Sequence, residues 1–401
     1  MIPHRKVNEG IFMRISPVVL LILIISCTKK NLETPATVQQ PVSENKVISK
    51  PEACKFGLQV FNKTRRAPSA DVSGFKKKPK QTGTITPPNA TIYLDFDGQV
   101  VTNTLWNISG PINCAPANVA AIDEDKILDR VSEDFSPFNV VVTTDENVYN
   151  ATSPQKRMRV IITETWDWFG VVGGTSYNNS FTWGNNTPCF VFSTLLSYNE
   201  KFIAEAISHE VGHTLNLQHQ ALYDNSGNYI SEYNEGVGDG RIGWAPIMGI
   251  GYYRNVTTWY KGPTANGYNN IQDDVAIISN VLGLKPDDNS EMQRSDKFQG
   301  NVEGIINNGS DIDYYYMDVK DGASIIKAEP KCLGNGEGAN LALRMKIYNK
   351  QGVCVKSVED AGSLSASVSL APDKYFIGIE SKSIDGQSRN GMLGRYTVSM
   401  N

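Results

Sequence analysis

The sequence predicts an α+β fold in which a domain built on one mixed sheet precedes an all-β sandwich. Up to about residue 285, β-branched segments alternate with segments whose apolar residues recur at three- and four-residue spacing. Beyond about residue 290 the helical spacing stops, and short alternating strands recur with turn residues between them. Since 401 residues suffice for two or three domains, we place the mixed-sheet domain at 89–288 and the sandwich at 289–401.

Each element of the first domain has its own local signal. Four segments are predicted as strands because they are β-branched or alternate in polarity: 91–98, 139–144, 157–164 and 189–194. Three segments are predicted as helices from the spacing of their apolar residues: 123–138, 198–217 and 269–283. A long loop rich in Gly, Asn and Asp, at 220–245, separates the last two helices.

Composition is that of an ordinary globular protein, with 40% hydrophobic residues, 20% charged residues and a net charge of -4. No basic run is interleaved with aromatic residues, which argues against a nucleic-acid partner. Histidine is rare, with four in the chain, yet three of them lie within residues 209–219. Chance rarely clusters so scarce a residue, so the cluster favours a chemical role over isolated core or surface histidines.

The N-terminus resembles the signal peptide of a bacterial lipoprotein. Arg14 precedes an apolar run at 17–26 that is far shorter than the roughly 20 residues needed to span a bilayer as a helix. The following Cys27, with Ser26 before it, resembles the lipobox in which Cys is acylated. We therefore expect a signal peptide at 1–27, lipid attachment at Cys27, and a place in the bacterial cell envelope, on the outer membrane or cell surface, or release from it. The alternative is an ordinary cleaved signal with a chance Cys.

The segment HEVGHTLNLQH, residues 209–219, has the spacing of a metal site. His209 and His213 are one helical turn apart on one face, and Glu210 lies about 100° further round the helix. If the helix continued, His219 would lie about 15 Å beyond His209 along its axis, so the chain must leave the helix first. Asn is the commonest non-glycine residue in the left-handed conformation that ends helices. We therefore predict a positive φ at Asn216.

This segment resembles the signature of the metzincin clan of zinc endopeptidases, H-E-x-x-H-x-x-G-x-x-H, at every position except Asn216, which replaces Gly. The clan also has a turn whose Met lies beneath the metal, and WAPIMGIGYY (244–253) fits this Met-turn with Met248. The resemblance covers about 90–285 and is closest to reprolysin-like bacterial members. It implies a mixed twisted sheet, an active-site helix and a C-terminal helix. In some members of the clan, a Tyr two residues after the Met is an additional metal ligand or an oxyanion donor. Tyr252 lies four residues after Met248, so we do not assign it this role.

The resemblance further implies one catalytic zinc ion, held by His209, His213 and His219. Glu210 would then be the general base toward water and later the proton donor to the leaving amine. The substrate would be a protein or peptide lying antiparallel along an edge strand, which the segment at 173–183 could supply. The oligomeric state and the cleavage specificity stay open.

Two alternatives accompany this interpretation. The chain could be a non-catalytic surface protein that keeps the scaffold for binding or adhesion, but the intact Glu210 argues against that. Residues 28–88 are polar and rich in Pro and are predicted to be a flexible tether. The alternative for this stretch is a pro-segment whose Cys54 ligates the zinc, although PEACKFG (51–57) does not match the cysteine-switch sequence of matrix metalloproteases.

Three other patterns carry less weight. DFDG (95–98) resembles the aspartate motif of phosphatases of the haloacid-dehalogenase type, but it lacks the following Thr and a partner motif. The loops at 224–229 and 235–240 resemble calcium loops without the full spacing, so we favour solvated turns and leave a structural Ca²⁺ open. In the sandwich, D-x-D-Y-Y (311–315) and the segment APDKYFIGI (371–379) resemble bacterial pre-peptidase C-terminal domains.

Five cysteines follow Cys27, so at least one of them would be unpaired in an oxidising compartment. Two pairings would each close a loop inside one predicted domain: Cys114 with Cys189, and Cys332 with Cys354.

Overall fold

A computed structural model describes residues 86–287, 289–320, 324–333 and 337–400, together with the backbone of 53–54. The predicted signal peptide, the lipid-attachment residue Cys27 and most of the predicted tether lie outside these residues. Residues 49–401 form one compact unit. Within the described part of the chain, no helix is both long enough and apolar enough to cross a bilayer.

A six-stranded sheet organises the first domain, in the order β1-β7-β8-β6-β2-β5. Its strands, with those of a separate hairpin (β3 and β4), are β1 (Ala53–Cys54), β2 (Thr91–Asp95), β3 (Gln99–Val101), β4 (Ile112–Cys114), β5 (Val141–Thr143), β6 (Arg157–Thr163), β7 (Gly174–Thr175) and β8 (Cys189–Phe192). The four strands β8, β6, β2 and β5 run parallel. Strand β7 is antiparallel to β8, and β1 is antiparallel to β7. The sheet is therefore mixed, with antiparallel pairing confined to one edge.

The four helices are α1 (Ala121–Asp134), α2 (Glu146–Ala151), α3 (Glu200–Thr214) and α4 (Asp274–Leu282). Helices α1 and α3 pack against each other and share one core with alternate residues of the parallel strands, among them Leu94, Val160 and Val191. The intervening residues Ile161 and Phe190 belong to a second core rich in aromatic rings, with Trp106 and Trp168. Burial on both faces explains why these strands are almost continuously apolar.

Between α3 and α4 the chain forms short strand pairs. These strands are β9 (Leu222–Tyr223), β10 (Tyr229–Ser231), β11 (Trp244–Pro246), β12 (Val256–Thr258), β13 (Lys261–Thr264) and β14 (Gly267–Asp273). The prediction of a helix over all of 269–283 is therefore wrong in its first third, where 269–273 belong to β14. There the ladder with β13 satisfies the backbone, and Asp273, whose side chain accepts from the Ala276 amide at 3.1 Å, caps the helix that begins at Asp274.

Two smaller differences concern the first half of the chain. Helix α1 ends at Asp134, before Pro137, so the predicted helix at 123–138 is about one turn too long. The sequence prediction missed α2, which has six residues and begins at Asp145, whose side chain accepts from the Asn147 amide at 2.8 Å. One short turn of helix offers too few apolar residues to show a period.

The C-terminal domain is a β-sandwich of a five-stranded sheet, β15-β17-β22-β19-β20, and a four-stranded sheet, β16-β23-β18-β21. Its strands are β15 (Asp296–Lys297), β16 (Asn301–Ile306), β17 (Ile312–Val319), β18 (Ser324–Pro330), β19 (Leu343–Asn349), β20 (Cys354–Val358), β21 (Ala366–Leu370), β22 (Asp373–Ser381) and β23 (Gly394–Met400). Alternate residues such as Met317, Met345 and Val368 meet in one core. The prediction of an α+β chain that ends in a β-sandwich is confirmed.

The sandwich and the first domain meet at the end of α1 and at the β11–β12 pair. Glu133 accepts from both the backbone and the guanidinium of Arg395, at 2.8 and 2.7 Å. The next residue, Asp134, is buried and accepts from the Asn340 side-chain amide at 2.5 Å. On β11, Trp244 packs with sandwich residues that include Leu364 and Met392. The two domains therefore share buried polar and apolar contacts.

The four cysteines whose side chains are described, Cys114, Cys189, Cys332 and Cys354, are free thiols. The pairings considered from the sequence are therefore absent from the described residues. Cys332 follows β18 of the four-stranded sheet and Cys354 begins β20 of the five-stranded sheet, so a bridge would have to span both layers. Burial raises the pKa of the Cys189 thiol well above its ordinary value.

Candidate metal centre

Helix α3 carries the first two histidines into the interior. Asn199 caps its N-terminus by accepting from the Phe202 amide at 3.0 Å, and the helix residues from Ile203 to Thr214 are all buried. His209 and His213 lie one turn apart with ring centroids separated by 4.8 Å. The predicted shared face is therefore present in the structure.

The chain leaves this helix at Asn216, which has a φ of 80°. The Asn216 amide donates to the His213 carbonyl at 2.9 Å, and the Leu217 amide donates to the Gly212 carbonyl at 3.0 Å. These two bonds are the Schellman pattern, in which a left-handed residue closes the helix and reverses the chain. The predicted positive φ is confirmed, and the reversal returns His219 to the other two rings.

The three imidazoles converge in a buried cluster. The ring centroid of His219 lies 4.7 Å from that of His213 and 5.2 Å from that of His209. One ligand atom from each residue can be chosen so that all three lie within 4.8 Å of one another. The Nε2 atoms of His213 and His219 are 3.0 Å apart. Three nitrogens at this separation have the spacing and chemistry of a zinc ligand set.

Each of the three imidazole rings has an oxygen acceptor close to its Nδ1 atom. Nδ1 of His209 lies 2.8 Å from the Ile247 carbonyl, and Nδ1 of His213 lies 2.8 Å from the Leu217 carbonyl. Nδ1 of His219 lies 2.9 Å from the carboxylate of Glu232. An acceptor at Nδ1 favours the tautomer with hydrogen there, which leaves the Nε2 lone pair for a metal. The donor set therefore fits a divalent metal ion.

Burial keeps the rings of His209 and His213 neutral. It lowers the pKa of His213 to about 3, with the nearby His219 adding to the effect. Burial, followed by the neighbouring His213 and His219, also lowers the pKa of His209 well below its ordinary value. Metal ligation requires neutral imidazole, so the protein prepares at least these two rings for a cation at neutral pH.

Glu210 is buried beside the histidines and is held by a residue that the sequence analysis did not single out. The hydroxyl of Ser176 donates to Oε2 of Glu210 at 2.6 Å. Gly174 lies on the same side, and a Cβ there would come within 2.7 Å of Cγ of Glu210 and 2.8 Å of its Oε1. Strand β7 therefore runs directly past the Glu210 carboxyl group. The strand itself spans only 174–175 of the predicted 173–183.

The side chain of Met248 packs against α3 at Gly212. Its side chain is fully buried, and its sulfur lies 2.5 Å from the position that a Cβ would take at Gly212. The Met248 carbonyl accepts from the Gln220 amide at 2.8 Å, which ties the turn to the residue after His219. Tyr252 stacks on Phe202 with ring centroids 4.6 Å apart, near the start of α3.

The weaker sequence patterns resolve into local structure. Asp95 of the DFDG segment forms an ion pair with Arg159 at 2.8 Å, at the end of β2. The Asp224 carboxylate accepts from the amides of Ser226 and Asn228 at 2.8 Å each, as in a tight turn.

The two aspartates of the D-x-D-Y-Y pattern in the sandwich have a third acidic neighbour. Carboxylate oxygens of this group, Asp287, Asp311 and Asp313, lie within 4.8 Å of one another.

Three contributors to the centre were missed from the sequence. Glu232 lies in the Gly-rich loop after the histidine motif, where no spacing distinguishes it from other acids. Ser176 follows a Gly-Gly-Thr segment, and its only signal is its place within the predicted edge-strand segment 173–183. Gly212 lies inside the motif, but its role depends on a contact with the distant Met248.

Comparisons with known proteins give structural matches to less than a third of the chain. No protein-family model matches the chain, and no curated protein matches it significantly. Among solved structures, the pre-peptidase C-terminal domain of a collagenase from Bacillus anthracis matches 29% of this chain and 98% of its own, at 11% identity and a TM-score of 0.20. PliG of Aeromonas hydrophila, a periplasmic inhibitor of g-type lysozyme, matches 27% of this chain and 100% of its own, at 16% identity and a TM-score of 0.18.

Proposed function

We propose that the chain is a zinc-dependent endopeptidase of the metzincin type. The observation that carries the proposal is the convergence of three buried imidazoles, each with an oxygen acceptor at Nδ1. Glu210 adjoins this cluster along the helix and has its carboxylate held by Ser176. A ligand set beside a positioned carboxylate is the arrangement that hydrolysis of a peptide bond needs.

In this proposal His209, His213 and His219 hold the zinc ion. When bound, zinc supplies Lewis-acid polarisation of the scissile carbonyl and acidification of the attacking water. Glu210 takes the proton from that water as general base and returns it to the leaving amine. The Ser176 hydroxyl donates to Oε2, which stabilises the carboxylate form that can accept a proton.

The substrate is proposed to be an extended protein or peptide segment. Strand β7 passes the Glu210 side chain at Gly174, where a Cβ would come within 2.7 Å of Cγ of Glu210, and its outer neighbour β1 is only two residues long. A peptide that takes the place of β1 beside β7 would gain main-chain hydrogen bonds and bring a peptide group toward the histidine cluster. Gly at 174 lets the Glu210 side chain lie directly against this strand.

The proposed location rests on the sequence of the N-terminus. The apolar run at 17–26 followed by Cys27 favours a lipoprotein held in the bacterial cell envelope by acyl chains, with release as the variant. Incorporation of radiolabelled palmitate that is lost in Cys27→Ala tests this. Equal labelling of the wild type and of Cys27→Ala would contradict lipid attachment at Cys27.

The deciding experiment compares the wild type with Glu210→Ala on casein and on a peptide library, with and without a chelator. We expect cleavage that the chelator abolishes and that Glu210→Ala lowers by at least about a thousandfold. Zinc content should be near one per chain and should fall in His219→Ala. Survival of cleavage in Glu210→Ala would refute the mechanism. Stoichiometric zinc without cleavage of any substrate would favour the non-catalytic binding or adhesion protein.

A further inference from the structure

A polar cavity lies on the face of the six-stranded sheet that is turned away from α1 and α3. Its volume is about 390 Å³, within the range of roughly 300–1,000 Å³ of small-molecule sites. Strand β6 contributes Arg157, Arg159 and Ile161 to its lining, and as alternate residues they share one face of the sheet. Ile161 belongs to the aromatic core on that face, whereas its neighbour Val160 packs in the core that contains α1 and α3. None of the described lining residues belongs to the histidine cluster, so the cavity is separate from the candidate metal centre.

The walls of the cavity are mainly polar. They are formed by β3 with the turn after it (99–104), the end of α2 (149–150) and the loop before β8 (185–188). Five of the described lining residues carry a side-chain amide: Gln99, Asn103, Asn150, Asn185 and Asn186. Each amide offers two N–H donors and a carbonyl acceptor, while Val101 and Pro188 add apolar surface. This mixture suits a ligand that has many hydroxyl groups on a small C–H framework, as a sugar does.

Arg157 gives the cavity a fixed positive charge. Its guanidinium stacks on the ring of Tyr149, 4.3 Å from the centroid, and Nη1 donates to the carbonyls of Tyr149 at 2.9 Å and Thr152 at 3.2 Å. Its Nη2 donates to Oδ1 of Asn186 at 3.0 Å. These partners, all within the described part of the chain, are neutral oxygens, so they hold the guanidinium in place without cancelling its charge. A cation fixed in this way favours an anionic group on the ligand, because little further ordering is needed.

The second arginine of the lining is already neutralised. Nη1 of Arg159 lies 2.8 Å from the carboxylate of Asp95, and Nη2 lies 2.6 Å from that of Glu146. Both acids lie outside the lining, and none of the described residues that line the cavity is acidic. These residues therefore present one uncompensated cation to a ligand and offer no carboxylate to an ammonium group.

The cavity is poorly suited to a nucleobase. Tyr149 is the only aromatic residue among the described lining residues, and it is buried. The guanidinium of Arg157 covers its ring, and the ring of Tyr93 lies 5.4 Å away between centroids. Since bases bind by stacking on open aromatic faces, the cavity fits a sugar better than a nucleotide.

We propose that this cavity binds an acidic sugar, with the sugar's carboxylate at Arg157 and its hydroxyl groups at the surrounding amides. The planar fork of an arginine matches a carboxylate, and neighbouring hydroxyl groups match the donor and acceptor of one amide. The site is distinct from the proposed metal centre and does not depend on peptidase activity. A glycan with uronic acid units is therefore a ligand of this chain in addition to any peptide substrate.

Calorimetric titration of the full chain tests the class of ligand. The probes are the methyl glycosides of glucuronic and galacturonic acid, each beside its neutral counterpart, in which a hydroxymethyl group replaces the carboxylate. We expect at least one uronide to bind with a Kd of about 1 mM or below, and its neutral counterpart to bind at least about tenfold more weakly. Absence of saturable binding by both uronides would refute the proposal, and so would equal binding of each uronide and its neutral counterpart. Acetate that competes as well as the uronide would show a site for carboxylates without sugar recognition, and would also overturn it.

Two wall amides provide a variant that leaves Arg157 in place. Gln99→Ala/Asn150→Ala removes amides from two different walls and should weaken binding of the uronide and of the neutral glycoside alike, by at least about fivefold. The matched control, Gln293→Ala/Asn301→Ala, removes two exposed amides of the C-terminal half and should bind like the wild type. Wild-type affinity in Gln99→Ala/Asn150→Ala would contradict the role of the amides, and so would an equal loss of affinity in the control.

Arg157→Gln tests the role of the charge. It should lower the affinity for the uronide to that for the neutral glycoside, while Arg157→Lys, which keeps the charge, should retain part of the preference. Because Arg157 also bonds to backbone carbonyls, urea denaturation first checks that each variant folds. A folded Arg157→Gln protein that still prefers the uronide would refute the carboxylate contact. If neither Arg157 variant folds, the comparison of Gln99→Ala/Asn150→Ala with its control decides.

Discussion

The sulfur of Met248 occupies the space that a side chain at Gly212 would need, 2.5 Å from the position of its Cβ. Gly212 lies between Glu210 and His213 in α3, so this contact fixes the distance between the helix and the turn that contains Met248. Real Cβ atoms do not come this close to a neighbour, and the neighbour here is fully buried. The Gly in the histidine motif is therefore required by packing and not by a backbone angle.

Gly212→Ala should push α3 away from the turn and spread the three histidines. We expect zinc affinity to fall by at least about tenfold, measured by competition with a chromophoric chelator. The double variant Gly212→Ala/Met248→Ala should recover part of the loss, because shortening residue 248 removes the clash. Wild-type zinc affinity in the single variant would show that the helix accommodates the methyl group elsewhere.

Glu232 should orient the third ligand. Its carboxylate lies 2.9 Å from Nδ1 of His219, while its own side chain is 47% exposed. Since partners of this kind contribute roughly 10- to 100-fold in metal affinity, Glu232→Ala should weaken zinc binding by that amount with little change in unfolding free energy. Glu235→Ala, in the same loop, is the matched control. Equal zinc affinity in both variants would contradict the role.

Ser176 should act on turnover more than on substrate binding. Its hydroxyl reaches Glu210 and makes no metal contact, so Ser176→Ala should lower kcat by about 10- to 100-fold and leave zinc content at the wild-type level. Thr182→Ala, an exposed change in the same segment, should have no effect. If KM rises while kcat is unchanged, Ser176 contributes to the substrate edge instead.

Asn216 tests the helix ending. With a φ of 80°, Asn216→Ala should lower the unfolding free energy by roughly 1–2 kcal/mol, because a Cβ without a local hydrogen-bonding group is strained there. Asn216→Gly should lie within about 0.5 kcal/mol of wild type, since relief of strain offsets the greater entropy of the unfolded chain. Urea denaturation checks both values. A greater loss for Gly than for Ala would contradict the assigned conformation.

The parts of this fold and site that the sequence predicts are those encoded locally. The helix face of His209 and His213 follows from four-residue spacing, and the left-handed turn at Asn216 follows from the need to return His219. The start of α4 at Asp274 was missed because the preceding residues, although spaced like a helix, pair with β13. Glu232 and Ser176 were missed because each contacts its partner only in the tertiary structure. No periodic pattern in the sequence indicates a contact of this kind.

The contacts between the sandwich and the first domain limit the replacement of one domain by recombination. The side-chain amide of Gln387 donates to the hydroxyl of Thr258 at 2.6 Å and to the carbonyl of Trp259 at 3.0 Å, both a few residues after the Met-turn. Exchange of the C-terminal domain for another would leave these groups without their partners and expose the face of Trp244 that packs against the sandwich. Recombination at the boundary between the two domains should therefore be selected against. We expect the first domain and the sandwich to be inherited together.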